Sequence, residues 1–326
     1  MNELLLVQPE QNEVPRYRIM ITRHAERLPS GELSSEGIAH AAEKGSTLGR
    51  AEVLKGYASN HPSGRAYDTA EAISQESGVL SQTTGKYYQT RKVEGISYDV
   101  LGSVTPILNE ARAKVDKATM EEISITDPEL ASKINLAAAG SKTMTRLNKQ
   151  GEFIVDLQKL PTEFQGTVAK IRQRNQPAGF RYLLDNPEFV QAMAQGLAHQ
   201  IADKQQLVNR YAERRETAAK PPAGDVVVNL ATHGMFMESM LHEAGILERQ
   251  DGTEQRGIRD FEGDEFGGFI QPAESMYLEL ENPHSLPERI PVSFEGDSRP
   301  KGRVFIDREK LLTLAQGYRA AQASKL

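Results

Sequence analysis

Strand and helix signals alternate from Tyr17 onward, break off near residue 104, and resume near residue 225. Tyr17-Arg18-Ile19-Met20-Ile21-Thr22 reads as a strand that stops abruptly at the charged run Arg23-His24-Ala25-Glu26-Arg27. Ser34 and Ser35 offer N-caps for a helix whose Ile38, Ala41, Ala42, Gly45 and Leu48 share one stripe. A strand over residues 53–58 follows, then the loop Asn60-His61-Pro62-Ser63-Gly64, a helix opening at Arg65, and a strand over roughly residues 86–93. After the break, Val226-Val227-Val228-Asn229-Leu230-Ala231-Thr232 is a buried strand running into His233-Gly234. Further strands are expected at 276–281, 290–294 and 304–306, with a last helix from about Arg308. Such alternation predicts an α/β sheet.

Between 104 and 222 the signals are helical, with almost none for strands. Asp127-Pro128-Glu129 and Asp185-Asn186-Pro187-Glu188 each read as an N-cap followed by Pro at the first helical position. Residues 189–216 are long, charged and helix-prone, and Lys220-Pro221-Pro222-Ala223-Gly224 ends them. The expected architecture is a three-layer α/β/α sandwich with a mostly parallel sheet. It is built from residues 15–103 and 223–326 and interrupted by a large helical insertion at 104–222.

Composition narrows the chemistry. The chain has no cysteine, which excludes a disulfide scaffold, a thiolate zinc site and a cysteine nucleophile. Lys and Arg number 39 against 45 Asp and Glu, a net charge of −6, so a general nucleic-acid binder with a basic face is not expected. An anionic substrate would have to be attracted by a local cluster of Arg and His. No run of about 18 apolar residues is present, and no export signal is recognised, so a cytoplasmic protein without a membrane partner is expected. The phosphate-binding G-x-x-x-x-G-K-[ST], the dinucleotide G-x-G-x-x-G and the metal-binding H-E-x-x-H patterns are all missing from the sequence. Neither a metal site nor a cofactor is expected.

Two strands end in the same chemistry, Thr22-Arg23-His24 and Thr232-His233-Gly234. Ligands of open α/β sheets bind beyond the carboxyl ends of the strands, so the two ends converge if the strands are neighbours. Arg65 sits in a third strand-to-helix loop that the same geometry can bring there. Two imidazoles and two or three guanidinium groups around one point suit a phosphoryl group. Arg pairs its donors with phosphate oxygens and keeps its charge. One neutral imidazole can attack phosphorus while the other donates to a non-bridging oxygen.

Four elements now stand in order: Thr22-Arg23-His24-Ala25-Glu26-Arg27, Leu33-Ser34-Ser35-Glu36-Gly37, Arg65-Ala66-Tyr67-Asp68-Thr69-Ala70 and Ala231-Thr232-His233-Gly234. Together they resemble the histidine phosphatase superfamily (phosphoglycerate mutase-like), over about residues 17–100 and 225–280. The resemblance implies that His24 is the nucleophile and forms a phosphohistidine. It implies that Arg23 and Arg65 hold phosphate oxygens with His233 as their partner. Arg23-His24-x-x-Arg27-x-Pro29 follows the acid-phosphatase and phytase branch, where Arg27 is a second phosphate ligand. His233 followed by Gly234 instead of Asp favours the mutase-like branch. Ala25 stands where the family usually has Gly, and His61 where Ser is common four residues before the loop Arg.

A general acid must protonate the leaving oxygen, and a carboxylate must then activate water. The mutase-like branch draws it from the segment after the third strand, which here holds Glu94 and Asp99; Glu94, directly after the strand and before Gly95, is preferred. The expected activity is metal-independent hydrolysis of a small phosphorylated substrate. The alternatives are mutase-type phosphoryl transfer and a non-catalytic phosphate-ligand binding protein of the same fold.

Overall fold

The computed structural model describes residues 16–26, 28, 32–48, 51–59, 64–77, 90–96, 104–141, 143–147, 153–218, 224–263, 265–295 and 300–324. Arg27, Pro29, His61 and Asp99 lie outside the described residues, as do positions 86–89 of the expected third strand. The strands are β1 (Tyr17–Arg23), β2 (Ala51–Ser59), β3 (Arg91–Val93), β4 (Thr145–Leu147), β5 (Phe153–Val155), β6 (Asp225–Thr232), β7 (Gly245–Glu248), β8 (Glu254–Arg256), β9 (Ser275–Leu280), β10 (Arg289–Phe294) and β11 (Arg303–Asp307). The helices are α1 (Ser35–Thr47), α2 (Arg65–Glu76), α3 (Thr105–Thr126), α4 (Pro128–Ala139), α5 (Thr162–Arg174), α6 (Gln176–Leu184), α7 (Pro187–Thr217), α8 (Phe236–Ala244) and α9 (Arg308–Ala323).

Among the described residues one sheet of nine strands runs in the order β3-β2-β6-β1-β9-β10-β11-β7-β8. The expected mostly parallel sheet is corrected to a mixed one. Only β3-β2-β6-β1 is parallel, and every pairing from β1 through β9 to β8 is antiparallel. The cause is connection length. A parallel neighbour needs a crossover of a dozen or more residues, normally a helix, whereas only eight residues separate β9 from β10 and eight separate β10 from β11.

Alternate residues of the central strands face opposite helical layers, as the two-residue period of a strand requires. Ile19 and Ile21 of β1 join Val228 and Leu230 of β6 in a core with Phe189, Met193 and Leu197 of α7 and Phe236 and Met240 of α8. Met20 and Val227 point the other way, onto Ala41 of α1 and Ile73 of α2. Every residue of β6 is buried, which matches its near-continuous apolar sequence.

The stretch 104–222 contains two packing groups. Val104, Ile107 and Ala111 at the start of α3, Leu183 and Leu184 of α6, and the length of α7 share the main core with the sheet. Ile123 of α3, Ala131, Ile134 and Ala138 of α4, Leu157, Leu160, and Val168 and Ile171 of α5 form a separate core. The two expected caps are made: Asp127 accepts the Leu130 N–H at 3.0 Å and Asn186 the Phe189 N–H at 3.1 Å. Contrary to the helical expectation, β4 and β5 pair as a short antiparallel hairpin in this stretch. No helix among the described residues is long and apolar enough to cross a membrane.

A polar chain threads the core beside the carboxyl end of β1. Lys44 of α1 donates to Ser275 Oγ at 3.0 Å and pairs with Glu295, and Thr22 Oγ1 donates to Asn229 Oδ1 at 3.1 Å. Ser275 and Thr22 lie 2.8 Å apart; with the Thr22 proton on Asn229, Ser275 must be the donor. Burial lowers Lys44 from an ordinary 10.5 to about 8, against the opposing pull of Glu274. The folded protein therefore releases this proton at lower pH than the unfolded chain. Between about pH 8 and 10.5 the unfolded chain binds more protons, so this group makes stability rise with pH, by up to about 3 kcal/mol. Lys44→Met should lack that rise. Urea denaturation of both proteins at pH 7.5 and 10 should show the variant's stability relative to wild type falling as pH increases; a constant difference would contradict the linkage.

Candidate active site

β1 and β6 are parallel neighbours with Arg23 opposite Thr232, so His24 and His233 emerge side by side from the sheet. The His24 N–H donates to the Thr232 carbonyl at 2.8 Å, extending the ladder by one residue. The two imidazoles meet edge to face, with ring centroids 5.1 Å apart and planes at 66°. His233 is buried and His24 half-buried.

The His24 ring is held in one tautomer. Its Nδ1 lies 2.8 Å from the Ala25 carbonyl, which can only accept, so Nδ1 carries a proton and in the neutral ring the lone pair is on Nε2. On His233, Nε2 lies 3.1 Å from the buried Ser59 hydroxyl at the end of β2.

Each sequence element has a structural task around this pair. In Leu33-Ser34-Ser35-Glu36-Gly37, Ser34 caps α1 by accepting the Gly37 N–H at 3.0 Å, and its own N–H donates to the Glu26 carbonyl at 2.9 Å. Gly37 lets that backbone approach, since a Cβ there would lie 2.9 Å from the Glu26 nitrogen and closer still to its oxygen. In Arg65-Ala66-Tyr67-Asp68-Thr69-Ala70, Thr69 Oγ1 accepts the Ala25 N–H at 3.0 Å and donates to the Arg65 carbonyl at 2.8 Å. The loop after the nucleophile candidate is thereby tied to the first turn of α2, where Arg65 sits half-buried. Ala66 and Ala70 of the same element pack closely on Ala58 and Ala231.

Gly234 serves Arg23. A Cβ at position 234 would lie 2.9–3.0 Å from the Arg23 guanidinium, which occupies the space a side chain would take. Arg23 is only 7% exposed, donates to the Ile270 carbonyl, and lies with its guanidinium carbon 5.4 Å from the Phe180 ring centroid. Phe180, on α6, also meets Phe269 edge to face at 5.1 Å.

Glu94 follows β3 as expected and is exposed. Its segment is fixed from three directions. Gln200 of α7 donates to the Glu94 carbonyl at 2.8 Å, Thr232 donates to the Ile96 carbonyl at 3.0 Å, and Gly95 (φ 86°) packs against Gly196. Thr232 directly precedes His233, so the acid-bearing segment runs past the same strand end. The Glu94 carboxylate acts on Tyr318 of α9, whose phenol is raised first by burial and then by that negative charge. Thus His24, His233 and Arg23 come together and Arg65 is linked to them through Thr69. Among the described residues the partners of Glu94 lie on α7 and α9.

Three contributors escaped the sequence reading. Ser59 carried only the weak signal of a small polar residue closing a strand. Phe180 carried none. Glu238 stood out as a lone carboxylate in the apolar run Met235-Phe236-Met237-Glu238-Ser239-Met240-Leu241. It is fully buried; burial pushes its carboxyl up, opposed first by the positive charge of Arg23. Among the described residues, no three His, Asp or Glu side chains gather as a metal site.

No protein-family model and no curated protein matches the sequence. Among solved structures, the chain is similar to a Hafnia alvei phytase in complex with tartrate, at 10% identity and a TM-score of 0.48, over 95% of this chain and 98% of that one. It is similar to a mycobacterial hydrolase at 13% identity and a TM-score of 0.36, over 87% and 99% of the two chains. It is also similar to the mycobacterial glucosyl-3-phosphoglycerate phosphatase, at 15% identity and a TM-score of 0.33, again over 87% and 99%.

Proposed function

We propose that this chain is a metal-independent phosphomonoester hydrolase that works through a phosphohistidine on His24, on a small phosphorylated substrate and without a nucleic-acid or membrane partner. The observation that carries the proposal is the imidazole pair at 5.1 Å, set on adjacent parallel strand ends beside the buried Arg23. The Ala25 carbonyl keeps the proton on Nδ1, so His24 Nε2 can attack phosphorus. The N–P bond forms as the bond from phosphorus to the leaving oxygen breaks, and that oxygen takes a proton from Glu94 or Asp99. Water then attacks phosphorus and gives its proton to the same carboxylate. The N–P bond breaks, phosphate departs, and the imidazole recovers its lone pair. Arg23, Arg65, Arg27 and His233 neutralise the phosphoryl oxygens, the main task in such a transfer. The helical stretch 104–222 caps the site, and the Phe180 ring facing Arg23 is the contact that favours this role.

A non-catalytic phosphate-binding protein is the second possibility. It is favoured by one observation, that the partners of Glu94 lie on α7 and α9. A phosphatase screen over sugar phosphates, nucleotides, phosphoglycerates and phosphoproteins separates the two. Hydrolysis should survive EDTA, and Arg65→Ala should weaken vanadate binding by about 2 kcal/mol or more. Activity lost on chelation and restored by a divalent ion would overturn the metal-independent chemistry. Vanadate binding without hydrolysis of any substrate would favour the binder.

A further inference from the structure

The carboxylate of Glu238 bridges two loops that meet at the candidate site. Oε2 accepts the N–H of Met235, two residues after His233, at 3.1 Å. Oε1 accepts the N–H of Ile270 at 3.1 Å, and the carbonyl of that same Ile270 accepts from the Arg23 guanidinium. Met235 holds a left-handed backbone (φ 77°) that a non-glycine residue adopts only when its surroundings enforce it, and the Glu238 bond is one such constraint. Glu238 is fully buried, Phe236, Met237, Ser239 and Met240 around it in sequence are buried with it, and the charge that most favours its ionised form is Arg23.

From this geometry we propose that Glu238 is the positioning residue for the phosphate-binding Arg23. It fixes the Ile270 carbonyl that orients the guanidinium and, through Met235, the turn that places Gly234 against the guanidinium's other edge. The proposal rests on Arg23 being a phosphate ligand. Glu238 itself touches no substrate; it acts through one peptide group on one side and one turn on the other. Groups that orient metal ligands from behind change metal affinity by about 10–100-fold when altered, and an effect at the lower end of that scale is expected for a positioned Arg. Two acceptor oxygens are needed, one per loop. Glu238→Gln offers one acceptor and no charge. Glu238→Asp keeps both acceptors and the charge but is one methylene shorter.

A double-mutant cycle on vanadate binding, read by calorimetry, tests the assignment with the full-length chain. Glu238→Gln should raise the vanadate Kd about tenfold in the wild-type background. In an Arg23→Ala background, the same substitution should change Kd less than about twofold. Glu238→Asp should recover part of the loss, and KM for p-nitrophenyl phosphate should change more than kcat in both variants. If Glu238→Gln does not fold, Glu238→Asp takes its place in the cycle, with the same requirement that its effect vanish without Arg23. Equal weakening in both backgrounds, or none in either while Arg23→Ala itself weakens binding, overturns the positioning role alone. Unchanged vanadate affinity in Arg23→Ala overturns instead the assignment of Arg23 as a phosphate ligand, on which the role depends.

Discussion

His24→Ala should abolish the phosphoenzyme and lower kcat/KM by about 10⁴-fold or more, the scale seen when a nucleophile is removed from an otherwise intact site. The magnitude follows from what the substitution leaves. Arg23, Arg65 and His233 would still bind and polarise the phosphoryl group, so binding persists while the bond-forming atom is gone. His24 is half-buried at the strand's end, outside the main apolar core, so the variant should fold and its melting temperature provides the control. Rapid quench of wild type with ³²P-labelled substrate should trap an acid-labile, base-stable adduct on His24. Label on any other residue, or wild-type activity in the variant, would exclude the mechanism.

Gly196→Ala should destabilise the protein by about 2–4 kcal/mol, although a helix-interior glycine normally predicts the opposite sign. Gly196 lies within α7, where replacing Gly by Ala is worth up to about 1 kcal/mol in propensity. A Cβ there would lie 2.8 Å from the carbonyl carbon of Gly95 and still closer to its oxygen, with backbone on both sides of the clash. The 94–96 segment cannot retreat cheaply. It is held by Gln200 at the Glu94 carbonyl and by Thr232 at the buried Ile96 carbonyl, and stranding the latter costs about 1–3 kcal/mol. Overpacking adds about 1–3 kcal/mol, so close approach outweighs propensity. Urea denaturation gives the answer. Because Glu94 moves with the segment, the folded fraction should also lose phosphatase activity. An increase in stability would mean that propensity dominates and that the contact between α7 and the segment is loose.

Much of the site was legible because its motifs act locally. Ser34 caps the helix it precedes, Gly37 makes room for a loop eleven residues earlier, and Thr69 reaches back to Arg65 within one helical turn. Of these, the Ser34 cap follows from the residues themselves, whereas Gly37 and Thr69 were marked only through the resemblance. The antiparallel half of the sheet was legible only in part: β9, β10 and β11 were expected near their observed positions, but not their antiparallel pairing. The expected parallel sheet gave the early strand–helix alternation too much weight. The short β7 and β8 follow α8 with little periodicity to mark them.

The sequence by itself determined α1, α2, α9 and most strands of the core, the caps at Asp127 and Asn186, and the identity of the two strand ends that carry His24 and His233, but not α8. Local hydrogen bonding and hydrophobic period are encoded within a few residues of each position, and no distant partner is needed to read them. Only the tertiary structure decided that β1 and β6 are neighbours, that Ser59 meets His233 across 174 residues of chain, and that Phe180 reaches Arg23. It also decided that Glu238 reaches Ile270, 32 residues on in the chain. These contacts depend on which strand pairs with which and how the helices close over the sheet. That choice is made by burying the whole apolar surface at once, so no single segment contains it.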